Sequence, residues 1–315
     1  MKPWVMGLIG VSVCLMAGAA HADCRPLLDG VGRLAKAGDF DGAEREVARV
    51  RDNGFDCRSA DNRAAKRILA TALVKEAERL RGEPGRRADL LRRAVKQEVS
   101  WKAAAALGRL RMSDKDYAGA AEMLQSALNE VAENTAAITR SEAETEAAPT
   151  ETELRDLTRR AEEATHLAAT MPGGRLVQPP MTRSGAIGGV FNEATNRDAQ
   201  AFREPVPILF EFRSDELTGD GRKAADILVG AMQQLAPDRI VVTGHTDKVG
   251  GDEFNLALSL KRARRVADHL KANGVKATIE VVGKGKSEPR RVSADAGYSE
   301  QQIDDLNRRV EFSWK

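Results

Sequence analysis

The hydrophobic pattern divides the chain into a helical first part and a mixed last part. From residue 24 to about residue 135, apolar residues recur every three or four positions, as at Leu27, Val31 and Leu34, which is typical of amphipathic helices. Further on, short apolar runs alternate with longer helical stretches, which predicts an α+β unit. We therefore predict a helical domain over 23–135, a linker over 136–204 and an α+β domain over 205–315.

The helical part contains two copies of a helix–turn–helix arrangement. In the first copy, Gly38 ends one helix and Asp39 can cap the next. In the second, small and apolar residues fall at the spacing of a helical repeat, namely Ala104, Leu107, Gly108, Tyr117, Ala120, Leu124 and Ala127. The region therefore resembles tetratricopeptide-like repeats, with an irregular stretch over 60–100 between the copies. A plain helical bundle is the alternative.

Composition indicates that 136–204 is a flexible linker. Glu, Thr, Ala and Pro dominate residues 133–153, and such a run cannot bury enough apolar surface to fold by itself. A stripe of Leu154, Leu157 and Ala161 then predicts one short helix. The linker is thus expected to be a tether with one helix in it.

The start of the chain has the features of a signal peptide over 1–22. Lys2 supplies a positive charge, Val5–Ala20 is an uncharged apolar run, and Ala20-His21-Ala22 fits the small-x-small cleavage pattern. We expect the mature chain to begin at Asp23, in the periplasm. An uncleaved anchor is the alternative, although the run is short for a membrane span.

Two cysteines remain after this cleavage, Cys24 and Cys57. In an oxidising compartment we expect them to form a disulfide, with two buried free thiols as the alternative. No histidine or further cysteine lies at ligand spacing, so we predict neither a metal nor another cofactor.

Charge excludes one class of partner. The 49 basic and 47 acidic residues give a formal net charge of only +2, whereas nucleic-acid binding would need basic residues clustered on one face. The length of 315 residues is enough for two separate cores.

The last third of the chain predicts a β-α-β-α-β-(α)-β sandwich with helices on one face of a sheet. Thr218 stands where a helix N-cap is expected. The predicted elements are strands over 207–212, 239–243, 279–282 and 307–314, with helices over 224–235, 252–272 and 301–305.

Five short motifs appear in order in this region. They are Leu217-Thr218, Gly244-His245-Thr246-Asp247, the run from Asn255 to Ala263, Gly283-Lys284-Gly285 with Pro289, and Asn307-Arg308-Arg309-Val310. Together these motifs resemble the OmpA-like family (the C-terminal domain of OmpA and MotB). The resemblance covers roughly 205–315. It implies noncovalent binding of peptidoglycan through the diaminopimelate residue of its stem peptide, and suggests association with the outer membrane. Ile303-Asp304 depart from the Gly-Arg usual there, which affects the rim of the pocket.

The residues of these motifs suit such a ligand. The free end of diaminopimelate carries an ammonium and a carboxylate on one carbon. Asp247, just past a strand end, can accept from the ammonium, and the planar fork of Arg262 suits the carboxylate. Asn255, Ser259 and Arg262 share one helix face, and Asn255 lies in the first turn, where free backbone N–H groups favour an anion.

The resemblance adds further residues to the site. It implies that Arg308 is a second ligand contact and that Thr246 and Leu258 form part of the pocket wall. Ser259 is expected to pack or hydrogen-bond within the protein rather than touch the ligand. Strand alternation predicts that Arg309 faces solvent.

Each site residue also has a purely structural interpretation. Asp247 and Arg262 could pair with each other as a structural salt bridge, although the flanking motifs favour a ligand role. His245 is more typical of a structural histidine at a strand end than of a metal ligand or catalytic base, because no second histidine or cysteine lies nearby.

The sequence therefore favours a noncatalytic protein that binds peptidoglycan and whose helical domain recruits a protein partner. A motor stator would need a transmembrane helix with an ionisable residue inside it, and Val5–Ala20 has none. A wall hydrolase would need a carboxylate pair, a metal cluster or an activated nucleophile, whereas a cation beside Asp247 would make it a poor acid.

Overall fold

The computed structural model describes residues 24–53, 57–136, 146–182, 185–191 and 203–315. The predicted signal peptide lies outside these residues. Within them, no helix is both long enough and apolar enough to cross a membrane.

Seven helices occupy the described residues up to 170. They are α1 (Arg25–Ala37), α2 (Phe40–Asp52), α3 (Ser59–Arg79), α4 (Pro84–Val95), α5 (Trp101–Ser113), α6 (Tyr117–Ala136) and α7 (Glu151–Thr170). The predicted turn between α1 and α2 is present. Gly38 has a φ of 80°, which favours glycine, and the Asp39 side chain accepts a hydrogen bond from the Gly42 amide (2.8 Å).

Helices α1 to α6 form three successive hairpins, α1 with α2, α3 with α4, and α5 with α6. The stretch over 60–100, predicted to be irregular, folds as the middle hairpin. The buried apolar stripe of α3 is narrow and includes Ala65, Leu69 and Leu73. Charged residues surround this stripe. The resemblance to tetratricopeptide repeats stays a prediction.

The predicted disulfide between Cys24 and Cys57 is present, with a Cα–Cα distance of 5.2 Å. It joins the residue before α1 to the segment before α3. Both cysteines lie in the core that α1, α2 and α3 share.

Helix α7, within the predicted linker, is longer and more deeply packed than expected. It has 20 residues, and Leu157, Ala161 and Leu167 lie in one hydrophobic core with α5, α6 and the C-terminal elements. Composition did not predict this, because the charged residues of α7 find buried polar partners in the C-terminal part.

The segments 176–182 and 185–191 after α7 are also held in place, and the second ends in a short 3-10 helix (Gly189–Phe191). The Gly189 amide donates to Asn129 Oδ1 (2.6 Å), and the Val190 amide donates to Gln125 Oε1 (3.0 Å). The described residues between 146 and 191 are thus attached to α6 rather than forming a free tether. The division of the chain at 135 and 204 stays a prediction.

The C-terminal part is α+β, as predicted. Its elements are α8 (Gly219–Leu235), β1 (Arg239–His245), α9 (Asp252–Ala272), β2 (Thr278–Gly285), α10 (Glu300–Asn307) and β3 (Val310–Trp314). The strand order is β2-β1-β3, with β1 parallel to β2 and antiparallel to β3. Helix α9 packs across β1 and β2, and α8 packs beside α9.

The predicted first strand over 207–212 is wrong as a strand of this sheet. It forms one isolated bridge, between Phe210 and Leu217, inside a tight hairpin. Pro205 and Pro207 lack the backbone N–H that a ladder needs. Arg203 instead pairs with Phe312 of β3 through two backbone hydrogen bonds (2.8 and 2.7 Å).

Candidate ligand-binding site

Strand β1 and helix α9 approach each other closely at the base of the predicted site. A Cβ atom on Gly244 would lie 2.1 Å from the backbone oxygen of Ser259, so glycine alone fits there without a shift of the backbone. The Ser259 hydroxyl accepts a hydrogen bond from the Gly285 amide (2.9 Å). This buried hydroxyl therefore joins α9 to β2, the hydrogen-bonding role expected of it.

The loop 247–251 after β1 is held by its neighbours. Asn255 Nδ2 donates to the Val249 carbonyl (3.0 Å), and the Thr246 amide donates to the Gly285 carbonyl (2.9 Å). The loop consequently has a fixed shape that positions the aspartate at its start.

Asp247 uses both carboxylate oxygens within this framework. Its Oδ1 accepts from the Val249 amide (2.9 Å), and its Oδ2 accepts from Arg308 Nη1 (2.7 Å). Arg308 also bonds to Asp305 through Nη2. The Asp247 side chain keeps 17% of its surface exposed, so the carboxylate is oriented but still accessible.

Arg262 is buried, with 6% of its surface exposed, and it lacks a carboxylate partner. Its Nε donates to the Ser214 carbonyl (2.9 Å), and its guanidinium lies 4.9 Å from the centre of the Phe210 ring. No carboxylate of the described residues forms an ion pair with it. The structural salt bridge between Asp247 and Arg262 is therefore not formed, and Asp247 pairs with Arg308 instead.

The charges of Asp247 and Arg308 both act on the Arg262 guanidinium. Burial, followed by the charge of Arg308, lowers the pKa of Arg262 to about 10, while Asp247 and Asp215 oppose the shift. The guanidinium therefore stays charged at neutral pH. A buried cation without a counter-ion is costly, and an anion placed against it would offset that cost.

Asn255, Ser259 and Arg262 lie on one buried face of α9, as predicted. The backbone amide of Asn255, however, is not free for an anion, because it donates to the Gly251 carbonyl (3.0 Å). Since its side chain holds Val249, Asn255 positions the loop. Direct contact between Asn255 and a ligand stays a prediction.

The two predicted wall residues differ in exposure. Thr246 is buried, and its hydroxyl donates to the backbone oxygen of Asp247 (3.1 Å). Leu258 is half-buried on α9. Their contacts with a ligand, like those of Arg308, also stay predictions.

Arg309 was expected to face solvent, and this is wrong, since only 5% of its surface is exposed. Its Nε donates to Glu311 Oε1 (2.7 Å) and its Nη2 to the Glu288 carbonyl (3.3 Å). The residue precedes β3, so strand alternation does not apply to it.

His245 is buried at the end of β1, with its Nε2 3.4 Å from Glu311 Oε2. Burial opposes ionisation of Glu311, but His245 and Arg309 together lower its pKa to about 2. Among the described residues, no group of three metal-ligating side chains includes this histidine.

The loop over 290–300, termed the rim loop below, contacts α7. Glu163 accepts hydrogen bonds from the Ser293 amide and the Tyr298 hydroxyl (both 2.9 Å). Arg290 is buried between Glu162 (3.0 Å) and Glu204. Sequence reasoning missed this contact.

One signal of that contact was present in the sequence. Glu162, Glu163 and His166 interrupt the stripe of Leu and Ala along α7, and all three are buried. His166 Nδ1 lies 2.6 Å from Glu204 Oε1. Charged residues at buried helical positions indicate polar partners elsewhere in the fold. Ile303 and Asp304 are half-buried on α10, which also packs against α7.

Comparison with known proteins defines the class to which this fold and site belong. A profile of the OmpA family matches residues 209–302. The chain is 34% identical over 130 residues to the peptidoglycan-associated lipoprotein of Pseudomonas aeruginosa, covering 41% of this chain and 71% of that protein. The chain therefore belongs to the OmpA family, as its motifs indicated.

Two further proteins show similarity to parts of the chain. Outer membrane protein A of Shimwellia blattae is 38% identical over 85 residues, which are 26% of this chain and 35% of that protein. The crystal structure of the peptidoglycan-associated lipoprotein from Burkholderia pseudomallei matches with 28% sequence identity. The match covers 34% of this chain and 88% of the lipoprotein chain. Its TM-score is 0.29, which is too low to support a structural conclusion.

Proposed function

We propose that the C-terminal domain binds peptidoglycan noncovalently, through the diaminopimelate residue of the stem peptide. The single observation that carries this proposal is the buried Arg262 guanidinium, which forms no ion pair with a carboxylate of the described residues. The charge of the oriented Asp247 carboxylate also acts on this guanidinium. A ligand with one anionic and one cationic group complements this pair of side chains.

Diaminopimelate fits because its free end carries both groups on one carbon. In the proposed complex, the carboxylate binds Arg262 and the ammonium binds the exposed part of Asp247. Arg308, half-exposed and already bonded to Asp247, serves as a second cation for the carboxylate. Thr246, Leu258 and Asn255 complete or support the wall of the pocket.

The proposed cellular role is that of an anchor in the cell envelope. The names of its relatives, peptidoglycan-associated lipoprotein and outer membrane protein A, support a noncatalytic protein in the periplasm that is attached to the wall and associated with the outer membrane. The helical part would connect a protein partner to the wall, and the packing of α7 against the rim loop supports a firm connection.

Purified sacculi test the proposal. Wild-type protein is expected to sediment with sacculi that contain diaminopimelate and much less with sacculi that contain lysine at that position. Asp247→Ala and Arg262→Ala should each weaken binding by roughly tenfold to a hundredfold, because each removes a charge-assisted contact.

Arg264→Ala is the matched control, since Arg264 is exposed on the same helix. It should bind like wild type, and circular dichroism should show that all three variants are folded. Binding of Asp247→Ala and Arg262→Ala at the wild-type level would refute the site. Release of soluble muropeptides during the incubation would refute the noncatalytic role.

A further inference from the structure

A groove of about 1370 Å³ runs between the first two helical hairpins, along α1, α3 and α4. Along α3 and the C-cap residue that follows it, the lining extends from Ala64 to Leu80, a rise of roughly 24 Å. That length matches a helix of about 16 residues. The groove is far from the C-terminal elements in sequence and shares no lining residue with the site around Asp247.

The floor of the groove is apolar and incompletely covered. Seven of its apolar side chains are only half-buried, namely Leu28, Phe40, Ala64, Ile68, Ala72, Leu80 and Leu90. Most of them pack with one side against the core of the first hairpins and leave the other side toward the groove. Contiguous apolar surface of this kind, rimmed by polar residues, is typical of a protein-binding surface.

The rim is predominantly cationic, although the whole chain is nearly balanced in charge. The groove is lined by Lys36, Arg67, Lys75, Arg79, Arg86 and Arg93. Only two carboxylates share that lining, those of Glu76 and Asp89. The excess of positive charge is therefore local to the groove.

Part of this charge is already neutralised. Arg79 pairs with Glu76 (3.3 Å), and Arg86 pairs with Glu83 (2.8 Å). Arg93 pairs with both Asp41 (2.6 Å) and Glu44 (2.8 Å). Lys36 on α1 and Lys75 on α3 are exposed, and neither forms an ion pair with any described residue. These two ammonium groups, on the two helices that border the groove, are the ones available to a partner.

We propose that this groove binds an acidic amphipathic helix of a partner protein. The apolar face of that helix would pack on the floor, and its carboxylates would pair with Lys36 and Lys75. An amphipathic helix that places its apolar face in a groove is a common recognition mode. The inference rests on the proposed anchoring function, since it names the surface by which the helical part would hold its partner.

The test uses the full chain and a labelled synthetic peptide of 16 residues. The peptide carries leucine at helical spacing on one face and glutamate on the other, and a matched peptide carries lysine in place of glutamate. Fluorescence anisotropy is expected to show saturable binding of the acidic peptide alone, and added salt should weaken it.

Charge reversal identifies the surface. Lys36→Glu combined with Lys75→Glu should weaken binding of the acidic peptide by at least tenfold. Lys66→Glu is the matched control, because Lys66 lies on α3 outside the lining of the groove, and it should bind like wild type. Sacculus binding should be unchanged in all of these variants, which separates this proposal from the proposed function.

Several results would overturn the proposal. They are equal binding of the two peptides, no binding of the acidic peptide, and wild-type affinity in the double variant. Analytical sedimentation could instead show that the wild-type chain self-associates and that only the double variant does not. That result would assign the groove to a second copy of the chain. If the wild-type chain bound anionic vesicles but not the peptide, and the double variant did not bind the vesicles, the groove would be assigned to lipid.

Discussion

At the scale of single residues, the site depends on a cation that is buried without a counter-ion. Arg262 is held by the Ser214 carbonyl and the Phe210 ring, so its position does not depend on a ligand. Asp247, one of the two carboxylates whose charge acts on Arg262, is already bonded to Arg308. Such an arrangement costs stability in the free protein, and a bound carboxylate would offset it.

Part of this arrangement could be predicted from the sequence. The motifs identified Asp247 and Arg262, and helical spacing placed Asn255, Ser259 and Arg262 on one face of α9. The bond between Asp247 and Arg308 could not be predicted, because it depends on how the loop after β1 meets the end of α10. The positioning role of Asn255 depends on the same loop.

Gly244→Ala tests the close approach of β1 and α9. A methyl group at this position would meet the backbone of Ser259, which cannot move without breaking contacts to β2. We expect a loss of about 1–3 kcal/mol in the free energy of unfolding, as for an overpacked core, measured by urea denaturation.

Gly230→Ala is the control for this substitution. Gly230 is exposed within α8, and nothing lies within 4 Å of its added Cβ. The variant should gain about 0.5–1 kcal/mol, because alanine favours a helix more than glycine does. Equal stability of the two variants would contradict the packing described for Gly244.

At the scale of elements, the helices of the C-terminal part were predicted more accurately than its first strand. Helix α9 begins and ends at the predicted residues, because its apolar pattern is long and regular. The predicted strand at 207–212 failed because its prolines remove backbone donors. The packing of α7 could not be predicted, since the partners of Glu162 and Glu163 between residues 290 and 298 lie more than a hundred residues away in the chain.

The contact between α7 and the C-terminal part depends on Arg290. Replacing it with methionine would leave the buried carboxylates of Glu162 and Glu204 without their shared cation. Arg290→Met should therefore lower the free energy of unfolding by about 3–5 kcal/mol, measured by urea denaturation.

Arg291→Met is the matched control, since Arg291 is exposed, and its stability should be close to that of wild type. Adding Glu162→Gln and Glu204→Gln to Arg290→Met should recover part of the loss. Wild-type stability of Arg290→Met would show that the buried ion pairs do not hold α7 in place.

At the scale of the whole molecule, a hydrophobic core continues from α5, α6 and α7 into the C-terminal sheet. The aromatic pair of Phe191 and Trp314, with ring centres 6.2 Å apart, lies where the segment after α7 meets β3. The helical part and the wall-binding part therefore have fixed relative positions.

The shared interior makes stability depend on pH through Glu162. Burial raises its pKa to about 7 despite the opposing charge of Arg290. Because this pKa is raised in the folded protein, the contribution of Glu162 to the free energy of unfolding is complete below pH 4.5. That contribution is lost as the pH rises through 7. The difference in unfolding free energy between wild type and Glu162→Gln should thus fall over this range, by at most about 3 kcal/mol.

Chemical denaturation at several pH values measures this difference. Glu311, whose pKa is lowered, behaves in the opposite sense, because its contribution is present above pH 4.5 and is lost at more acidic pH. Glu311→Gln is therefore a control of opposite sign. A constant difference between wild type and Glu162→Gln from pH 4.5 to 7 would contradict the buried position of this carboxylate.

The most direct test of the central claim is a calorimetric titration of the full chain with two soluble muropeptides. They differ only in carrying diaminopimelate or lysine in the stem, so the second lacks the carboxylate that Arg262 is proposed to bind. We expect at least tenfold tighter binding of the diaminopimelate form, and no such preference in Arg262→Ala. Equal affinity of wild type for the two muropeptides would contradict the account.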